Sequence, residues 1–457
     1  MKIALVSPRG AERFYAGSMF DDLEKLLHRE LIFLMEDMEW MPNLGLLTLA
    51  GVIPPHHQLT YIDEEYLPAD TLAHLLYREE FDMVCLSVIN AQSRRAYQIA
   101  DIFRGRGIPV AMGGIHPTAL PDECRGHCDY LFIGEAEESF PRFLLDFDRG
   151  DPLPVYEGRE QVDLSRLPPP RFDLLTQFDY HKKYNRFPIQ GTRGCPRQCD
   201  FCFLPVMYGP GHRHKSVDQV IREVSMIKEI VGDPFISFTD ENMLLNLDYA
   251  MELSRRMGEM GVLWECYCDI SVAEQDELLE CLRESNCVLL LIGLESLRRE
   301  NLVRENPWKA SRVDGYRQSV EKIQSKGMGV SGLFIVGFEH DTPDVFDEIC
   351  DFARRTRLMD VEVSALCPFP GTELYRRMEQ QGRIFCRDWS RYTWIHVNHQ
   401  PMKMSAGEIL EGLFGLFVKL TSLDRLIMQK KYFKKTARKL YDRSADTTGR
   451  PTFLTGR

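Results

Sequence analysis

The 457-residue chain has no long hydrophobic run. No stretch approaches the roughly 18 apolar residues that a membrane-spanning helix needs. Its opening residues, MKIALVSPRG, hold an apolar run too short for a secretory leader and read as a first β-strand. There is no low-complexity segment and no clear internal repeat. Positive charge is not in excess: 56 Lys and Arg face 68 Asp and Glu, a net charge of −12. That balance argues against an extended nucleic-acid footprint and suits a neutral or cationic small substrate. Together these absences predict a cytoplasmic protein without a transmembrane segment. In that compartment the thirteen cysteines are expected to be reduced thiols or metal ligands, not a disulfide framework.

What is present is a globular composition, 44% apolar, long enough for two or three domains. Residues 1–150 alternate strand patterns (KIALVSP, LTYIDEEY, MVCLSVIN, IPVAMGG, YLFIGEAEE) with helical ones (MPNLGLLTLAGVI, SRRAYQIADIFRGRG). This α/β alternation predicts a doubly wound, Rossmann-like domain with a parallel sheet, whose ligands sit beyond the carboxyl ends of the strands. The loops to watch are residues 7–10, 87–92, 113–118 and 134–137. Residues 151–187, with Pro168, Pro169 and Pro170 in a row, read as a linker with no sheet to join. In residues 188–385 the alternation resumes with FPIQGT, PFISFTD, LWECYCD, VLLLIGLES, GVSGLFIVGF and VEVSALCPF. Six strands separated by helices predict a partial (βα)6 TIM-type barrel with its chemistry at the carboxyl ends. Residues 386–457 read as a helical C-terminal region whose last helix carries the basic run QKKYFKKTARKLYDR.

The scarcity that matters most is local. In GTRGCPRQCDFCFLP, Cys195, Cys199 and Cys202 crowd into eight residues after the FPIQGT strand, and no fourth cysteine follows nearby. Thiolates favour zinc or iron–sulfur centres. Closed zinc sites and most iron–sulfur clusters take four protein ligands. Three thiolates therefore leave one metal corner open to something else. The competing reading is a zinc knuckle completed by His212 or His214.

The spacing Cys-x3-Cys-x2-Cys, with Phe201 just before the last cysteine, resembles the signature of the radical S-adenosylmethionine (SAM) superfamily. That resemblance implies that Cys195, Cys199 and Cys202 hold a 4Fe–4S cluster whose fourth iron binds SAM. One-electron cleavage of SAM then yields a 5′-deoxyadenosyl radical that abstracts hydrogen from unactivated carbon. It also implies cofactor contacts from Phe201, and from Asp240 and Glu241 in FTDEN, where the family meets the SAM amino group; its common Gly-Gly-Glu form is absent here. Glu295 in GLES stands where relatives reach the SAM ribose, and LFIVGF and CPFPGT resemble later strands of the same barrel.

The front segments SVINAQ, GGIHPTALPDE and YLFIGEAEE, with LPPPRFDLL behind them, resemble the cobalamin-binding domain found ahead of many such barrels. This implies cobalamin contacts from Ser87, Asn90, Gly113, Gly114, His116, Thr118, Gly134 and Glu135. The Asp-x-His-x-x-Gly motif that places a histidine on cobalt is missing, so His116 is assigned to the corrin periphery or to the loop, not to the metal. The segment GRIFCRDWSRYTWIHVNHQPMKMS resembles the stretch after the barrel in hopanoid C-2 methylases. Its Trp389, Tyr392, Trp394, His396 and His399 are candidate walls of a substrate pocket.

The family implies a class B methylase, in which methylcobalamin gives its methyl group to the substrate carbon and a flavodoxin- or ferredoxin-type donor supplies the electron. The substrate is a small molecule whose identity is not legible. The alternative keeps the radical start without methyl transfer: 1,2-diol dehydration of a sugar or aminoglycoside, cyclisation, ring contraction or epimerisation, with a front domain that retains its fold and not its cofactor. A zinc or cobalamin sensor ranks below both, since no DNA-binding motif accompanies the domains. The ten remaining cysteines read as buried small hydrophobes, not as a second cluster.

Overall fold

The computed structural model describes residues 1–10, 41–158, 161–420 and 431. The first sheet holds β1 (Lys2–Ser7), β2 (Gln58–Asp63), β3 (Met83–Ser87), β4 (Val110–Gly113), β5 (Tyr130–Ile133) and β6 (Val155–Glu157), in the order β2-β1-β3-β4-β5-β6. Every pairing in it is parallel. Ile3, Ala4, Leu5 and Val6 are all fully buried. Such a run without alternation is what a strand covered by helices on both faces requires. One covering helix, Leu44–Val52, starts at Asn43, whose Oδ1 accepts the Leu46 amide at 3.0 Å. Another, Ser93–Gly105, buries Ala96, Ile99, Ala100 and Phe103, the i, i+3, i+4, i+7 stripe of a core-facing helix. Strand order reverses between β1 and β3, so the loops leaving them part and open a crevice.

Strand β6 falls in the segment read as a linker without a strand. It extends the front sheet beside β5, and Tyr156 lies fully buried against Phe132 and Phe143. Three residues directly behind Pro152 and Pro154 are too few to show a period-two pattern. The rest of that segment packs closely. The Arg171 amide donates to the Leu47 carbonyl at 3.0 Å. A Cβ on Gly51 would come within 2.6 Å of the Pro169 carbonyl oxygen, so only glycine lets the prolines lie on that helix. Further on, the Tyr184 hydroxyl donates to Asp63 Oδ2 at 2.6 Å, fixing the approach to the second sheet from the end of β2.

The following strands are β7 (Phe187–Ile189), β8 (Thr192–Arg193), β9 (Arg213–His214), β10 (Phe235–Phe238), β11 (Leu263–Cys268), β12 (Cys287–Glu295), β13 (Gly329–Val336) and β14 (Asp360–Ala365). Strands β8 and β9 form a small antiparallel pair. The other six make a second parallel sheet in the order β14-β13-β12-β11-β10-β7. Apart from the inserted pair, neighbours in space are neighbours in sequence, and β14 and β7 stand at the two edges. This is a partial barrel with right-handed βα units. The helix Val217–Val231 opens with a capping box between Ser216 and Gln219. After the barrel, the helix Ala406–Leu420 packs so closely that a Cβ on Gly412 would overlap the Phe346 ring, on the helix Val345–Thr356. The basic run 429–443 lies outside the described residues except for Lys431. Among the described residues no helix is long and apolar enough to cross a membrane.

Candidate active site

The FPIQGT run does not lead straight into the cysteine loop. It stays in the sheet only as β7 and then peels away as β8 to pair with β9, placing HRHKS beside the loop as one arm of a hairpin. Asp240, just past β10, causes the departure. Its carboxylate accepts the Gly191 amide at 3.1 and 3.0 Å and the Thr192 amide as well, in place of a neighbouring strand's carbonyls. Gly191 permits the approach, since a Cβ there would lie 3.4 Å from Asp240 Oδ1 and 3.0 Å from the Tyr249 hydroxyl. Asp240 is 1% exposed, and burial pushes its carboxyl up to about 7. This corrects its assignment as a cofactor contact: both oxygens are spent on backbone, and the residue is a brace for the loop. Glu241 braces the next turn, accepting the Gly194 amide at 3.0 Å; burial raises its carboxyl too. Gly194 has φ +91°, and a Cβ would come within 2.5 Å of the Gly211 carbonyl oxygen.

Cys195, Cys199 and Cys202 are partly exposed, as metal ligands must be, whereas nine of the other ten cysteines are buried. Burial pushes the Cys199 thiol up to about 11 and the Cys202 thiol to about 12. The Cys195 thiol is raised by burial against the pull of the Arg197 amide and the Asn242 side chain. Protonated thiols of this kind become ligands only when a metal takes the proton's place. Among the described residues no three His, Cys, Asp or Glu side chains converge on one ion. Three thiols on one loop are a donor set that fits an iron–sulfur cluster with one iron left to another ligand.

Around the loop stand side chains that the sequence did not mark. Asn306 Nδ2 donates to Cys199 Sγ at 2.9 Å. Lys309, 7% exposed, pairs with Glu295 and donates to the Gly293 carbonyl at 2.8 Å. Burial pulls the Lys309 ammonium down, but Glu295 and Cys199 beside it outweigh burial and hold it up. Glu295 ends β12 with φ +62°, at a shift in register against β13. A non-glycine residue in that conformation at the mouth of a barrel is strained in the way functional sites are. Arg197 stacks on Trp308 at 3.5 Å, with Arg312 on the same ring at 4.0 Å. Phe201 points its ring edgewise at Phe338, 6.1 Å away, beyond the end of β13. The signal for Asn306 was there as Asn-Pro, a helix-start dipeptide, but nothing local ties it to Cys199.

The front loops are built differently. His116 is fully exposed to nothing: its ring is 0% accessible, Nδ1 lies 3.3 Å from Asn90 Nδ2, and Nε2 lies 2.7 Å from the Tyr97 hydroxyl. Burial lowers it to about 4. It supports the loop from beneath, and Asn90, 2% exposed, shares that role. Thr118 Oγ1 donates to the Gly114 carbonyl and accepts the Gly134 amide, tying two loops together. A Cβ on Gly114 would meet the Val88 carbonyl oxygen at 2.9 Å, and one on Gly113 would meet Phe132 Cβ at 3.3 Å. These glycines make room for neighbouring backbone. Ser87 stays partly exposed, with Asn43 Nδ2 at 3.4 Å from its hydroxyl. What these loops present is backbone and the half-exposed Ile89, with the one histidine withdrawn. That fits a broad, largely uncharged ligand gripped by its rim, with no protein ligand to a central metal.

Glu135, expected at the cobalamin site, pairs with Arg193, two residues before Cys195, and with Arg213 at 3.0 Å. Glu137 also reaches Arg193, at 2.8 Å. A guanidinium only 7% exposed needs such partners. The carboxyl-end loop of β5 is thereby clamped to the strand that feeds the cysteine loop. The C-terminal segment also reaches the front domain: Trp389 Nε1 donates to Glu123, and Arg94 pairs with Asp388 at 2.8 Å. Of the candidate pocket residues there, Tyr392 and His399 are buried in packing, His396 is bonded to Thr393 at 2.7 Å, and Trp394 is half-exposed beside the end of β14.

Residues 189–353 match the model of the Radical SAM superfamily, and residues 39–144 that of the B12 binding domain. The chain is 30% identical over 376 residues to the bacteriochlorophyllide d C-12(1)-methyltransferase of Chlorobaculum tepidum, covering 82% of this chain and 81% of that one. It is 26% identical to the hopanoid C-2 methylase of Rhodopseudomonas palustris over 77% of this chain and 67% of that one. Among solved structures, the cobalamin-dependent SAM radical enzyme OxsB shares the fold with a TM-score of 0.70 at 15% identity, covering 96% of this chain and 70% of that one. A thiol triad at the mouth of one parallel sheet, clamped to the ligand loops of another, thus accompanies both family matches: the chain belongs to the B12-binding radical SAM methyltransferases.

Proposed function

We propose that Cys195, Cys199 and Cys202 hold a 4Fe–4S cluster, that Glu295 and Phe201 border the SAM site, and that the loops carrying Ser87, Gly114 and Thr118 hold cobalamin. When bound, these groups supply one-electron cleavage of SAM and a transferable methyl group. The chain's own part is placement. Asp240 and Glu241 set the thiol loop by holding the amides of residues 191, 192 and 194. Lys309 pairs with Glu295 and fixes it at the barrel mouth. Arg193 with Glu135 and Glu137 keeps the two ligand-bearing ends in one register, which radical chemistry needs because the reacting groups must be held in near contact. That clamp is the single observation that carries the reading.

For the substrate we propose a large, mostly apolar ring system methylated at an unactivated carbon. Two features support it: the relative named above acts on bacteriochlorophyllide d, and half-exposed Trp394 and Ile89 flank the ends of β14 and β3. A flavodoxin- or ferredoxin-type protein supplies the electron. The test is anaerobic reconstitution with iron, sulfide and cobalamin, followed by incubation with methyl-labelled SAM, a reductant and bacteriochlorophyllide d. Formation of 5′-deoxyadenosine together with a labelled, methylated pigment is expected. Formation of 5′-deoxyadenosine with no label gained by the pigment removes the substrate and leaves the radical start. No cubane absorption in loaded protein removes the whole reading.

A further inference from the structure

Asn306 joins the short helices Arg299–Glu305 and Pro307–Ala310 and is 3% exposed. Its Oδ1 accepts the Lys309 amide at 3.0 Å, capping the second helix. That bond settles which end of the amide is which, so the end facing Cys199 is Nδ2, 2.9 Å from Sγ. An amide nitrogen has no lone pair to offer, so it donates and sulfur accepts. The pair is held from behind. Glu305 accepts from Arg377 at 2.7 Å, and the same guanidinium reaches Asp200 at 2.6 Å. The Asp200 amide closes the ring on the Glu305 carbonyl at 3.3 Å. Asp200 adjoins Cys199 and Glu305 adjoins Asn306. One partly buried arginine thus fixes donor and acceptor relative to each other.

We propose that Asn306 is a redox-tuning residue: its N–H bond to the Cys199 thiolate raises the potential at which the cluster accepts its electron. This rests on Cys199 being a cluster ligand. A hydrogen bond to a ligating sulfur stabilises the more negative, reduced cluster more than the oxidised one. Losing it makes reduction harder.

The experiment is an EPR-monitored redox titration of the reconstituted full chain, without SAM or substrate, on wild type, Asn306→Ser and Asn306→Asp. Serine and aspartate both cap helices, so each preserves the Lys309 bond while removing the N–H that Asn306 directs at Cys199; serine's shorter side chain keeps its hydroxyl at the cap, and aspartate adds a negative charge. With wild-type iron and sulfide contents, the serine variant is expected to need a potential lower by a factor of about ten in the oxidised-to-reduced ratio, about 59 mV for one electron. The aspartate variant is expected to lie lower still. A serine variant with a full cluster and an unshifted midpoint overturns the proposal. So does failure of both variants to assemble a cluster that wild type assembles, which makes Asn306 a structural cap alone. A wild type that forms no cluster brings down the ligand assignment beneath it, and the iron analysis shows that separately.

Discussion

The two parallel sheets have the same number of strands and the same strand direction, yet their carboxyl ends are furnished in opposite ways. At the front sheet the polar side chains are turned inward and satisfied: His116 between Asn90 and Tyr97, Thr118 between Gly114 and Gly134. At the barrel the side chains that matter are thiols and charges, with Lys309 and Glu295 paired beside Cys199 and the Glu295 backbone at positive φ. The first end grips by shape, and the second by bonds to particular atoms. A ligand held by shape depends on backbone that must not move. A ligand held by donor atoms depends on those atoms and on the charges around them.

This contrast predicts that the two ends can be emptied separately. Cys202→Ala is expected to lower iron and acid-labile sulfide more than about tenfold, since a cubane bound by three thiolates cannot spare one. Its cobalamin content should match wild type. Gly114→Val is expected to do the reverse. Its φ of +108° and the Val88 carbonyl oxygen 2.9 Å from the new Cβ force the loop to shift. Strain of about 1–3 kcal/mol should weaken cobalamin about tenfold or more, with iron unchanged. Metal analysis and visible absorbance on the same samples read both. If either variant emptied both ends, the separation would be wrong.

The clamp between the ends gives the next effect. Arg193→Met removes a 7%-exposed guanidinium and leaves Glu137 without its cation, while Glu135 keeps Arg213. Stranding a buried charge costs about 3–5 kcal/mol, and the surviving Arg213 contact puts this case near 3. Urea unfolding should show that loss. The double variant of Arg193→Met with Glu137→Gln should recover part of it, because the stranded carboxylate is gone. A loss below about 1 kcal/mol would mean that the clamp is solvated and the two ends are not held in register by it.

Much of this architecture was legible because it is local. Alternating strand and helix patterns and a run such as Ile3–Val6 follow from neighbours in sequence, and so does a three-thiol loop. β6 escaped because three residues behind two prolines carry no period. Asp240 and Glu135 were expected as cofactor contacts, and their structural partners were not legible. Their partners, the amides of Gly191 and Thr192 and the guanidinium of Arg193, lie 48 to 58 residues away in the chain. Asn306 and Lys309 escaped altogether, since only the folded barrel brings them to Cys199 and Glu295. Patterns of period and spacing report what a residue is next to in the chain; the site's charges are set by what the fold places beside it.

The smallest expected effect is in acid, and there the two ends should pull in opposite directions. Burial holds His116 near 4 when folded against 6.5 when unfolded. Between those values the unfolded chain takes up a proton that the folded one refuses. The His116 contribution is therefore complete above about pH 6.5 and lost as pH falls toward 4. Burial instead raises Asp240 to about 7 from 3.8. Its folded carboxyl protonates first, so its contribution grows as pH falls from 7 toward 4. The two slopes nearly cancel in wild type, leaving a net change on the order of 1 kcal/mol from this pair. His116→Asn should remove the acid loss and expose the gain from Asp240, while Asp240→Asn should remove the gain and steepen the loss. Urea midpoints between pH 4.5 and 7 measure these slopes apart from whatever each substitution does at neutral pH. Parallel slopes in the two variants would mean that neither group titrates in the fold as its surroundings require.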